Sequence, residues 1–198
     1  MVWACGEFTR VRRRVITAYK DHGRADLAGS LADDLAMAVA ALLRVDPRHL
    51  DRAWLDNSVL LVPAPSSGAS RRARGEAPID RLAERTADRL PGRVGAAPVL
   101  TFRRRVVDQS HLDHGRRQAN LSGAMVVRAA ASVQGADCLV VDDVVTTGAT
   151  LVEAARALRA AGARSVVAAT VAATARRAAR PAVSERLPGA GAPTSVRS

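Results

Sequence analysis

Residues 138–150, Cys-Leu-Val-Val-Asp-Asp-Val-Val-Thr-Thr-Gly-Ala-Thr, constrain this chain more than any other stretch. An apolar run, Cys138 to Val141, meets two adjacent carboxylates, Asp142 and Asp143. Val144 and Val145 follow, then small and hydroxyl residues from Thr146 to Thr150, then a helical pattern from Leu151 to Ala161. Strand, acidic pair, small-residue loop and helix in that order describe a phosphate site with a sugar site beside it. The loop's N–H groups and the N-terminus of the next helix can wrap an anion. Thr146, Thr147 and Thr150 add hydroxyl donors, and Gly148 lets the backbone come close. Carboxylates at a strand's carboxyl end, where open α/β sheets hold their ligands, can accept hydrogen bonds from a vicinal diol.

The rest of the chain reads as alternating strand and helix. Residues 3–19 are expected to form a short strand and a helical lead-in. Arg24 to Arg44 reads as an amphipathic helix, with Leu27, Leu31, Leu35, Val39 and Leu42 on one face. Ser58 to Val62 reads as a buried strand closed by Pro63-Ala64-Pro65-Ser66-Ser67, and residues 68–77 as a basic loop. Ile79 to Leu90 is expected to be helical and to stop at Pro91-Gly92. Pro98–Phe102 and Ala124–Val127 are expected strands, with a helix over His111–Leu121 between them. Ser165 to Val171 supplies a last strand. Such alternation predicts an α/β fold, a mainly parallel twisted sheet with helices on both faces. One domain over residues 1–180 is expected, with a disordered tail over 181–198, where Pro, Gly, Ala and Ser accumulate.

Composition narrows the classes. Of the 198 residues 48% are apolar, but only two Trp, one Tyr and two Phe are present, so the core must rest on Val, Leu and Ala. The net charge of +11 admits a nucleic-acid partner, yet of the 30 basic residues only Lys20 is a lysine. That bias fits a GC-rich coding sequence and explains the choice of Arg, not the excess over acids. Cys5 and Cys138 make neither a disulfide framework nor a metal spacing. His111 and His114 stand three apart, but only Asp108 and Asp113 lie near as partners, so no metal site is assigned to them. No stretch is long and apolar enough to span a membrane, and Arg10 with Arg12–Arg14 interrupts any signal-peptide core. A cytoplasmic protein is the expectation.

The segment 138–150 resembles the phosphoribosyl pyrophosphate (PRPP) motif of type I phosphoribosyltransferases, without a gap. That resemblance implies that Asp142 and Asp143 hold the ribose hydroxyls and that Val145, Thr146, Thr147, Gly148, Ala149 and Thr150 hold the 5′-phosphate. It further implies Mg²⁺ as cofactor and a pyrophosphate loop at Ala64, Pro65, Ser66 and Ser67. Arg71, Arg72 and Arg74 are candidate catalytic residues, since guanidinium groups can neutralise a departing diphosphate and a closing loop excludes water. Gln109, Leu112, Arg117, Asn120 and Gly123-Ala124, with Tyr19-Lys20 and Gly23, resemble the competence-associated ComF-type branch. The likeness covers about residues 3–172 and also suggests a homodimer.

Three departures stand beside it. Many ComF-type members begin with a Cys-rich zinc ribbon, whereas Cys5 alone cannot bind zinc structurally, so either the ribbon is absent or the true start lies upstream with it. Gly75 is followed by Glu76-Ala77-Pro78, where relatives continue with an aromatic residue or His. Thr146 stands where some purine-specific relatives carry an Asp, which leaves the acceptor unassigned. The alternative is a PRPP-binding protein without catalysis, or an accessory to DNA uptake.

Overall fold

A computed structural model of the chain describes residues 2–45, 59–65, 77–91, 93–104, 120–128, 131–174, 178–179 and 194–196. Its elements are β1 (Val2–Glu7), α1 (Arg10–Asp21), α2 (Ala28–Val45), β2 (Val59–Pro63), α3 (Pro78–Ala87), β3 (Val94–Ala96), β4 (Leu100–Phe102) and β5 (Met125–Val127). They continue with β6 (Asp137–Val145), α4 (Ala149–Ala160), β7 (Ser165–Ala173), β8 (Ala178–Ala179) and β9 (Thr194–Val196).

The main sheet runs β3-β2-β6-β7-β1-β9-β8. From β3 to β1 every pairing is parallel; β9 joins β1, and β8 joins β9, antiparallel. Parallel strands covered on both faces should be apolar along their length, and Cys138–Val141 on β6 are buried throughout. Alternation then sorts the core. Leu139 and Val141 join Leu61, Trp3 and Cys5 beneath α1, α2 and α3, while Cys138 and Val140 join Val62, Val2 and Ala4 beneath α4.

Local rules set the helix limits. Thr9 caps α1 by accepting the Arg12 N–H, and Gly23, at φ +65°, follows its end. The expected helix at Arg24 opens later, because Ala25–Leu27 makes a single 3₁₀ turn held by Arg24 on Asp26. From Ala28 the spacing of Leu31, Leu35, Val39 and Leu42 buries one face. Pro78 starts α3, whose missing N–H is no loss in a first turn.

Other expectations shift. Met125–Val127 pairs antiparallel with Leu100–Phe102 as a separate hairpin instead of entering the main sheet. Val94–Ala96, to which the sequence assigned no element, forms β3 at the edge beside β2. Within 181–198, expected to lack regular structure, Thr194–Val196 pairs with Val2–Ala4. The rest of that segment, and residues 111–119 of the expected helix, lie outside the described residues.

The topology decides where a ligand can sit. From β2 the chain crosses through α3 to β3, away from β6; from β6 it crosses through α4 to β7, away from β2. The two crossing helices pack in different clusters, on opposite faces of the sheet. The strand order therefore reverses between β2 and β6, and the crevice at their carboxyl ends is the place for a ligand. Ala64 and Asp142 flank it.

Candidate functional site

β2 stops pairing with β6 at Val141, opposite Pro63, while β7 follows β6 on to Val145. On the β2 side the last amides of β6 thus lose their ladder partners, and the acidic pair uses them. The Asp143 N–H donates to Asp142 Oδ1 at 2.8 Å, and the Val144 N–H donates to Asp143 Oδ1 at 2.8 Å. Each carboxylate is folded onto the next amide and so presented at the strand's end. Alternation sends Asp142 toward the α4 face and Asp143 toward the α1 face.

Lys20, in the last turn of α1, meets Asp143 there, with Nζ 2.7 Å from Oδ2. Burial disfavours the ammonium, but the Asp143 and Asp142 charges and the hydrogen bond outweigh it, and the Lys20 pKa is raised. Asp142 is pushed up to about 8 by burial first and by the Asp143 charge second, against the pull of Lys20. Tyr19, beside Lys20, donates its hydroxyl to the Pro78 carbonyl at 2.7 Å and ties α1 to the start of α3.

The loop after β6 has the form an anion needs. Gly148 adopts φ 77° and ψ −1°, the left-handed region, and caps α4 without a side-chain oxygen. Thr147 Oγ1 accepts the Ala149 N–H at 3.3 Å. The first N–H groups of α4 have no partner within the helix, and the positive end of its dipole lies at this loop, just past the carboxyl end of β6. Beneath them Val145, Ala149 and Leu151 belong to one buried cluster with Leu121.

Thr174, which the sequence reading did not single out, braces this loop. Its N–H donates to the Val145 carbonyl at 3.1 Å and its hydroxyl to the Thr146 carbonyl at 3.4 Å. Only its place just past β7 marks it, and that place is visible only once β7 is known to continue to Ala173.

The segment expected to hold pyrophosphate starts at the end of β2, where the Ala64 N–H donates to the Val141 carbonyl at 2.9 Å and Pro65 follows. Asn120 lies at the root of the β4–β5 connection, where its carbonyl accepts from Arg104 Nη2 at 2.9 Å. Ser66, Ser67, Arg71, Arg72, Arg74, Gln109 and Arg117 lie outside the described residues, as do His111 and His114. The structure thus brings Lys20, Ala64, Asp142, Asp143 and Val145–Thr150 to one crevice. Two adjacent carboxylates, one already engaged by Lys20, suit Mg²⁺ held chiefly by phosphate and sugar oxygens instead of an all-protein cage.

A family model described as the phosphoribosyl transferase domain matches residues 79–186. Over 61 residues the chain is 46% identical to ribose-phosphate pyrophosphokinase of Shewanella oneidensis, which is 31% of this chain and 19% of that protein. Among solved structures it is similar to phosphoribosylpyrophosphate synthetase of Mycobacterium smegmatis, at 23% identity and a TM-score of 0.35. That match covers 62% of this chain and 31% of the synthetase. A hypoxanthine phosphoribosyltransferase of Staphylococcus aureus aligns over 85% of this chain and 88% of its own, at 9% identity and a TM-score of 0.41. The chain therefore spans less than a third of the length of the two pyrophosphokinase-type relatives.

Proposed function

The chain belongs to the phosphoribosyl transferase domain family, and from that membership we propose that it binds PRPP with Mg²⁺ and transfers the phosphoribosyl group to a nitrogenous acceptor. The observation that carries this reading is the crevice between β2 and β6, where the acidic pair, the Gly148 loop and the Ala64 turn converge.

In this reading Asp142 and Asp143 accept hydrogen bonds from the ribose hydroxyls, each carboxylate keeping lone pairs beyond the one given to an amide. The N–H groups from Thr146 through the first turn of α4 hold the 5′-phosphate. Ala64–Ser67 receive the diphosphate, with Arg71, Arg72 and Arg74 as its guanidinium partners. Bound Mg²⁺ supplies charge neutralisation on the diphosphate. No covalent nucleophile is required; the chain's own share is orientation of C1 and electrostatic support of the departing charge.

We further assign the chain to the ComF-type branch, on Lys20, Gln109, Arg117 and Asn120. We place it in the cytoplasm, as a homodimer; among the described residues no helix is long and apolar enough to cross a membrane. A second reading, PRPP binding without transfer or an accessory role on DNA, is favoured by Thr146 in place of an acidic residue and by the +11 charge. Pyrophosphate release from Mg·PRPP, followed across a panel of nucleobases and other amines, separates the two. Transfer predicts acceptor-dependent release. Saturable PRPP binding with no release under any acceptor contradicts transfer and leaves the binding role, and steeply salt-dependent DNA binding would favour the accessory one.

A further inference from the structure

Lys20 reaches the site from an element far away in sequence. It ends α1, which returns from the carboxyl end of β1, across β7, to the carboxyl end of β6. There its ammonium lies 2.7 Å from Asp143 Oδ2, with 44% of its side chain exposed and 14% of that of Asp143. The lysine is therefore at the mouth of the crevice and the carboxylate inside it. Both oxygens of Asp143 are engaged: Oδ1 accepts the Val144 N–H and Oδ2 meets Lys20. A carboxylate held at both oxygens has one rotamer, yet each oxygen keeps a second lone-pair site for a ligand hydroxyl. Tyr19, through the Pro78 carbonyl, anchors the same turn of α1 to α3.

We propose that Lys20 is a positioning residue for the sugar: it holds Asp143 in the orientation that receives the ribose diol, with Tyr19 as its strut. The proposal rests on the phosphoribosyl reading above and adds to it which residue sets ribose selectivity. A loose Asp143 beside Asp142 loses the arrangement by which two hydroxyls are received at once. The phosphate loop, built on the Gly148 turn and braced by Thr174, does not depend on Lys20.

The test compares ribose 5-phosphate, 2-deoxyribose 5-phosphate and inorganic phosphate in NMR titrations of the wild type, Lys20→Met and Lys20→Arg. The wild type is expected to prefer the ribose sugar by about tenfold, the scale of one hydrogen bond to a charged group. In Lys20→Met that preference should fall to within about twofold while inorganic phosphate binds as before, and Lys20→Arg should restore most of it. A preference kept in Lys20→Met overturns the proposal. So does an equal loss of all three ligands, which marks a merely structural lysine. A wild type that binds neither sugar phosphate removes the phosphoribosyl reading itself, and the proposal with it.

Discussion

Asp142 Oδ1 accepts the main-chain N–H of Asp143 at 2.8 Å, so that one member of the acidic pair is held by the backbone of the other. The bond exists because β2 ends its ladder at Val141 and leaves the next amides of β6 unclaimed on that side. An interruption in strand pairing thereby aims the carboxylates at the crevice where the strand order reverses.

Two adjacent carboxylates in a half-buried site give the protein a distinctive pH response. Asp142 rises from 3.8 to about 8, through burial and then the Asp143 charge. Between those values the folded chain holds a proton that the unfolded chain has released, so the slope of stability with pH is negative. The stabilisation is full below 3.8 and is lost as pH rises through about 8. The melting temperature of the wild type should therefore fall across that range relative to Asp142→Asn. Parallel curves for the two proteins contradict the assignment.

Gly148 stands at φ 77°, where a Cβ meets the neighbouring carbonyl. Gly148→Ala is expected to cost about 1 kcal/mol in stability and to weaken inorganic phosphate binding. Denaturant titration and a phosphate titration of the same variant check both, and an unchanged phosphate affinity contradicts the role given to the loop.

Glu153, buried on α4, accepts the Met125 N–H at 2.9 Å and pairs with Arg156, which also donates to the Met125 carbonyl. Burial alone would raise its pKa, but Arg156 and the amides of Met125 and Gly123 hold it below the usual glutamate value. These bonds fasten the β4–β5 pair to the helix that starts at Gly148. Glu153→Ala should cost about 1–3 kcal/mol, the penalty of a buried unsatisfied donor. Faster hydrogen exchange at the Met125 amide should accompany it, and an unaltered exchange rate there contradicts the link.

Much of this was legible beforehand, and the exceptions have local causes. Cys138–Val141 followed by the acidic pair marks β6 and its carboxyl end from sequence alone, because a buried parallel strand needs an unbroken apolar run. The continuation of β6 to Val145 was not legible, since it follows from partnership with Ala172 and Ala173 on β7. Val94-Gly95-Ala96 carries no strand pattern and is extended by the register of β2. Thr194–Val196 likewise pairs because β1 would otherwise present an open edge. Tyr19-Lys20 could be noticed as a resembling pair, but its chemistry needed α1 folded back over the sheet to Asp143.

The most direct test is calorimetric titration of Mg·PRPP into the wild type and into Asp142→Asn/Asp143→Asn, with circular dichroism to establish that both are folded. Saturable heat in the wild type that vanishes in the double variant is the predicted result. A folded wild type that produces no heat, or a double variant that binds as tightly, contradicts the assignment of the β6 crevice as the phosphoribosyl site.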